Sequence, residues 1–184
     1  MRVTTGLYKG RVLRTVDDLS VRPATDRVRQ TIFNVLTHRM VLEDCRVLDM
    51  FAGSGSLGIE ALSRGAAHAT FVESGADAVG WLEANVDMLG CQEQTSILQM
   101  DAGQFLQQAR GPFDLIFVDP PYAYPGTPGL PEAIFGRGLL APEGYMLIEH
   151  AKDVEFTSTP LYTVGPVKPF GRTVVTFFTR SVQP

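Results

Sequence analysis

The 184-residue sequence predicts an α/β fold: a mainly parallel, doubly wound sheet of seven strands, with an antiparallel hairpin at its C-terminus and a small hairpin-and-helix extension at its N-terminus. Three observations predict it. Short apolar runs between Cys45 and His150 alternate with segments of helical spacing, the pattern of strand–helix–strand units. The first run ends in a glycine-rich turn that opens a helix. The segment PLYTVGPVKPFGRTVVTFF offers two more runs about Gly171-Arg172, the second alternating, which suits a hairpin.

Taken in order, residues 2–16 (RVTTGLYKGRVLRTV) read as two short strands around a Lys-Gly turn. The stretch VRPAT reads as extended, because Pro23 biases Arg22 away from helix. Thr25 can then cap a helix to about His38, with Val28, Ile32, Val35 and Leu36 as its buried stripe and Arg27, Arg29 and Asn34 elsewhere on its surface. The parallel strands are CRVLDM, ATFVE, TSILQM, FDLIFVD and YMLIEH, and the helices between them start near Leu57, Gly75, Ala102 and Pro131. Gly65 stands where a helix terminator would. Ser74 with Asp77 resembles a capping box, followed by the stripe Val79, Leu82, Val86 and Leu89.

At this length the chain reads as one domain, able to bury roughly 70% of its unfolded surface. A hydrophobic content of 45% with 20% charged residues is that of a soluble globular protein. No run approaches a membrane span and the N-terminus lacks an apolar signal core, so a cytoplasmic monomer is expected. Cys45 and Cys91 are isolated and form no CxxC, and the three histidines have no metal-ligand spacing, so no metal site is expected. The net charge of −4 hides an asymmetry: residues 1–40 carry +5 and the remainder −9. A basic arm on an acidic body suits contact with a polyanion, with Lys9, Arg11, Arg14, Arg22, Arg27 and Arg29 as candidate phosphate contacts. For Arg22 and Arg29, structural ion pairs to the acidic body are the competing reading.

The first strand runs into DMFAGSGSLG, where Gly53, Gly55 and Gly58 fit GxGxxG. Alone, that spacing serves several nucleotide binders or merely permits a tight turn. A pyrophosphate favours a helix N-terminus and disfavours a nearby carboxylate, yet Asp49 ends the strand. A carboxylate there better suits a ligand carrying an ammonium and a sulfonium, as S-adenosylmethionine does. Glu73, ending the second strand, can accept from two ribose hydroxyls, which serves either ligand. Asp101-Ala102 can meet an adenine, or Asp101 can simply cap a helix.

The fourth strand breaks into Asp119-Pro120-Pro121-Tyr122, and in an open α/β sheet it commonly lies across the switch point from the first strand. An exocyclic amino group on a nucleobase is a poor nucleophile, because its lone pair is delocalised into the ring. Two acceptors gripping its hydrogens redirect that pair. The Asp119 carboxylate is one, and the Pro120 carbonyl, freed because prolines cannot continue a sheet ladder, is the other. Tyr122 offers a flat face for the base. These residues together point to an amino-group methyltransferase.

On RPATDRVRQTIFNVL, LDMFAGSGSLGIEALSRGA, FVE, VDPPY, LIEH and FGRTVVTFF, the chain resembles the bacterial small-subunit ribosomal RNA guanine-N2 methyltransferases. The resemblance implies a Rossmann-like S-adenosylmethionine methyltransferase fold. It implies that Asp49, Phe51, Ala52, Gly53, Ser54 and Gly55 line the methionine part of the cofactor, Glu73 the ribose, and Asp101 with Ala102 the adenine. It gives Asp119, Pro120 and Tyr122 the guanine, and N2-methylguanine in 16S RNA as product. The chain departs from the family pattern at Gln30, where Glu is usual, and at Ser74-Gly75 after Glu73. The proline-rich AYPGTPGLP loop is a lid or a spacer. The net negative charge favours a 30S subunit or assembly intermediate over naked RNA as partner. A DNA amino methyltransferase, for which there is little room for a target-recognition region, and a non-catalytic RNA-binding assembly factor are the competing functions.

Overall fold

The computed structural model describes residues 1–15 and 23–181. Helix α1 (Pro23–Thr37) is followed by β1 (Arg46–Met50), α2 (Ser56–Ser63), β2 (His68–Glu73), α3 (Ala76–Leu89), β3 (Thr95–Gln99), α4 (Ala102–Gln108), β4 (Phe113–Val118), α5 (Leu130–Gly136), β5 (Leu140–Ala151), β6 (Tyr162–Phe170) and β7 (Thr173–Arg180). The seven strands form one sheet in the order β3-β2-β1-β4-β5-β7-β6. Strands β1 to β5 are parallel, whereas β7 runs antiparallel between β5 and β6. The predicted parallel sheet and terminal hairpin are both present. Strand order reverses between β1 and β4, so the chain leaves their carboxyl ends in opposite directions and opens a crevice there.

Period-two alternation splits the sheet's apolar residues between two cores. Val47, Phe71, Leu115, Phe117, Leu147 and Phe177 pack with helices α1 and α2, where Phe33 meets Phe117 at 5.7 Å between ring centroids. Leu48, Met50, Val72, Ile116, Val118 and Ile148 face the other way, onto α4 and α5. Both faces are therefore covered, which is why the central strands read as unbroken apolar runs. Strand β5 begins at Leu140 rather than Tyr145, pairing Leu140 with Phe113 through a register shift.

Four local expectations change. Helix α1 starts at Pro23, so Pro23 to Thr25 are helical rather than extended; proline, with its fixed φ and missing N–H, suits a first turn. Arg22 lies outside the described residues. The N-terminal hairpin is short: Arg2 bridges Val12, the N–H groups of Val3, Gly10 and Leu13 bond across its two arms, and helix α2 holds Thr4 and Thr5. Its Glu60, buried at 1% exposure, draws the Thr4 and Thr5 backbone N–H groups to its carboxylate at 2.9 and 3.2 Å. Ser74 makes no side-chain cap; Gly75 occupies the cap position of α3 and donates its N–H to Glu73 instead.

The fourth change concerns charge. Arg29 is not on the helix surface but buried at 3% exposure, 2.9 Å from Asp26 and 3.6 Å from Glu60. A guanidinium held there cannot reach an RNA phosphate, so the phosphate role expected for Arg29 is replaced by the structural ion pair. Arg64 donates to the same Glu60 at 2.9 Å while stacking over Phe33 at 4.5 Å. Glu60 thus ties the N-terminal segment, α1 and α2 together. Glu60→Ala leaves buried Arg29 with Asp26 alone, deprives Arg64 and the Thr4 and Thr5 N–H groups of their acceptor, and is expected to lower unfolding free energy by about 3–5 kcal/mol. Chemical denaturation checks this, and a loss below about 0.5 kcal/mol, the size of an ordinary surface substitution, would contradict it.

Candidate active site

The crevice at the carboxyl ends of β1, β2, β4 and β5 gathers most of the residues singled out in the sequence. The turn from β1 into α2 is wound by left-handed residues: Phe51 at φ +60°, Gly53 at +54° and Gly55 at +82°. A non-glycine residue held in that region carries strain and marks a site worth inspecting. The Phe51 ring packs edge-on against Tyr124, with centroids 5.0 Å apart. A Cβ on Gly53 would meet nothing within 4 Å, so that turn faces open space. Gly58 differs, since a Cβ there would strike Phe71 at 2.4 Å. Its role is close helix–sheet packing, and its N–H donates to Asp49 Oδ2 at 2.8 Å.

Asp49 is buried at 1% exposure, and among the described residues no cation pairs with it. Burial pushes its pKa up to about 7; the Gly58 N–H opposes that shift and the Glu73 charge adds to it. Glu73 holds the turn from the side: Oε2 accepts from Gly53 N–H at 2.8 Å and Oε1 from Gly75 N–H at 2.7 Å. Each oxygen retains a further lone pair for a ligand hydroxyl. Asp101 does cap α4, accepting from Gly103 at 2.7 Å, and remains exposed beside buried Ala102. Ala52 is buried beneath the turn and donates its N–H to Val72. The Ser54 carbonyl accepts from Asn85 at 3.0 Å.

Strand β4 delivers the second half of the crevice. The Asp119 N–H donates to the Met50 carbonyl at 3.3 Å, which sets Asp119-Pro120-Pro121-Tyr122 directly beside the glycine turn. Among the described residues no backbone hydrogen bond ends on the Pro120 carbonyl. Tyr122 is 66% exposed, and its hydroxyl lies 2.8 Å from Thr173 Oγ1. Asp119, Pro120, Tyr122, Tyr124, Glu149 and Thr173 line a cavity of about 220 Å³. Pro125 and Pro128 form part of its wall, so the proline-rich loop contributes to the cavity itself.

Desolvation raises the Asp119 pKa, with the Glu149 and Asp49 charges adding to it. Asp119 nevertheless exposes surface to the crevice, so water reaches the group and moderates the desolvation. The upward direction stands, because the neighbouring carboxylates push the same way. Glu149 is raised as well, first by burial, while a hydrogen bond from Thr173 favours its charged form. Three carboxylates thus crowd one crevice, and no Lys or Arg pairs with them among the described residues. Such a site attracts a cation and hydrogen-bond donors and repels phosphate.

Two contributors escaped the sequence reading. Glu149 sits in LIEH, which looked only like the end of a strand. Asn85 lies inside the apolar stripe of α3 and is fully buried. Its amide binds the Arg14 backbone as well as the Ser54 carbonyl, joining the N-terminal arm to the glycine turn. A polar residue amid Leu82, Val86 and Leu89 was the available signal. Lys9, Arg11, Arg14 and Arg27 are exposed, with Arg11 donating to the Met88 carbonyl at 2.9 Å.

The family model described as conserved hypothetical protein 95 matches residues 1–179. The chain belongs to that family, the family of the small-subunit ribosomal RNA methyltransferases D. It is 33% identical to ribosomal RNA small subunit methyltransferase D of Escherichia coli over 184 residues, covering all of this chain and 91% of the relative. The Haemophilus influenzae protein of the same name is 33% identical over 93% of this chain and 89% of its own. A solved Escherichia coli structure, described as a candidate methyltransferase, superposes with a TM-score of 0.88 at 34% identity, covering 100% of this chain and 99% of that one. The fold is the Rossmann-like methyltransferase fold that the resemblance implied.

Because Asp49 takes up its proton near neutrality when folded but near pH 4 when unfolded, folding binds a proton between those values. Stability is therefore present at low pH and lost as pH rises through about 7. Denaturation at pH 5 and 8 should show wild type losing on the order of 3 kcal/mol more than Asp49→Asn over that range. Parallel pH profiles for the two proteins would refute it.

Proposed function

We propose that the protein transfers a methyl group from S-adenosylmethionine to the exocyclic N2 of a guanine in 16S ribosomal RNA. The observation that carries this is the Asp119 carboxylate and free Pro120 carbonyl standing beside the Asp49 glycine turn, in an anionic crevice with an exposed tyrosine face. The residues present fit the cofactor: a buried carboxylate without a cation, open space over Gly53, and lone pairs on Glu73. Asp49 with Phe51 to Gly55 would hold its methionine part, Glu73 its ribose, and Asp101 with Ala102 its adenine. When bound, it supplies an electrophilic methyl group on a positively charged sulfur.

Asp119 and the Pro120 carbonyl accept the two hydrogens of the guanine amino group and hold its lone pair toward that methyl. Asp119, with its raised pKa, is suited to take the proton the nitrogen loses. Tyr122 stacks on a base that has left its helix, offsetting part of an unstacking cost of a few kcal/mol. The bordering carboxylates disfavour approach of the RNA backbone, so phosphate contacts belong to the exposed Lys9, Arg11, Arg14 and Arg27. The arm of residues 1–40 acts as the RNA-facing part of a single catalytic domain. The protein works as a cytoplasmic monomer on a 30S subunit or an assembly intermediate, whose proteins add docking surface that a chain of net charge −4 lacks.

The test is transfer of labelled methyl from S-adenosylmethionine to 30S subunits lacking the modification. Wild type should label 16S RNA, and Asp119→Ala should fall by about 10²- to 10⁴-fold in kcat. Label without loss in the variant, or no label although the cofactor binds, would overturn the reading. Lys9→Ala with Arg11→Ala should weaken RNA binding and flatten the plot of log affinity against log salt by about 1 for each phosphate that is no longer neutralised. An unchanged slope would exclude these two side chains from the RNA surface.

A further inference from the structure

We infer that Glu149 selects guanine over adenine by accepting the N1–H of the target base, while Asp119 and the Pro120 carbonyl hold its amino group. The inference rests on the function proposed above and assigns a residue that function does not use. Residues Val118 and Ile148 are paired on adjacent parallel strands, so Asp119 and Glu149 emerge on the next rung, side by side, into one cavity. Glu149 is not a loose surface acid. Thr173, which favours the charged form of Glu149, also bonds the Tyr122 hydroxyl at 2.8 Å, so the stacking face and the second carboxylate border one group on β7.

The chemistry of the bases decides what such a pair can read. The edge of guanine presents two adjacent donors, N1–H and the N2 amino group, whereas adenine presents its N6 amino group beside a bare N1 acceptor. Two neighbouring carboxylates complement the first edge. Against the second, one carboxylate oxygen faces a lone pair instead of a donor. In the free protein the Glu149 charge raises the proton affinity of Asp119, and guanine's two donors relieve that repulsion. Asp119 alone cannot discriminate, since every amino-bearing base offers it the same group.

The experiment uses 30S subunits reconstituted from 16S RNA in which a ligated synthetic segment carries either guanine or 2-aminopurine at the methylated position. 2-Aminopurine keeps the 2-amino group but has an acceptor at N1. Wild type should show a kcat/KM about 10- to 100-fold lower on 2-aminopurine, the loss of one hydrogen bond to a charged group. Glu149→Gln, whose amide can turn its NH₂ toward N1, should narrow or invert that ratio. Thr173→Val, which keeps the Glu149 carboxylate and frees the Tyr122 hydroxyl on both substrates alike, should narrow it less. A wild-type ratio near one would overturn the inference whatever the variants do. Equal losses on both substrates in Glu149→Gln would also overturn it, since they would mark a merely structural residue. Failure of wild type to methylate the guanine substrate would instead remove the proposed function, and this inference with it.

Discussion

The hydrogen bond from Asp119 N–H to the Met50 carbonyl, at the point where strand order reverses, is the contact on which the crevice depends. It brings the end of β4 against the end of β1, where the chain departs into the glycine turn on one side and the Pro-Pro-Tyr loop on the other. The geometry forces Asp49, Asp119 and Glu149 into one small volume. Desolvation raises all three proton affinities, and the Glu149 and Asp49 charges raise that of Asp119 further, a cost that a structural site would shed by acquiring a Lys or Arg. None pairs there among the described residues, so the compensating positive charge and donors are left to the ligands.

Around that crevice, buried polar residues hold the elements in register. Glu60 takes the Thr4 and Thr5 backbone, Arg29 and Arg64 together, fastening the N-terminal segment to α2. Asn85 continues the connection from Arg14 to Ser54, so the basic arm and the glycine turn share one amide. The surface proposed to meet RNA and the turn proposed to hold the cofactor are thereby parts of one hydrogen-bonded assembly. Thr173 plays the corresponding part on the other wall, bonding Tyr122 beside Glu149.

What could be read in the sequence was whatever depends on neighbours in the chain. The five parallel strands, the terminal hairpin, the glycine turn and the Asp119 loop are local patterns, and each lies where its spacing indicated. What could not be read depends on partners far apart. Arg29 looked like a surface cation because its partner Glu60 lies on another helix. The first hairpin stays short because that same distant carboxylate takes the Thr4 and Thr5 N–H groups. Ser74 is bypassed because Glu73, one residue earlier, reaches the Gly75 N–H first. Glu149 looked like the tail of an apolar strand until the sheet set it beside Asp119. Sequence spacing names the elements, and the pairing of strands decides which carboxylates meet.

The central claim is that the crevice holds a carboxylate awaiting a cationic methyl donor. It is tested most directly by calorimetric titration of S-adenosylmethionine into the protein at pH 6.5, in buffers of differing ionisation enthalpy. With the Asp49 pKa at about 7, that carboxyl is mostly protonated in the free protein, and the incoming positive charge should expel the proton. The account predicts net release of most of a proton on binding, abolished in Asp49→Asn. Binding with the same apparent enthalpy in every buffer would contradict it.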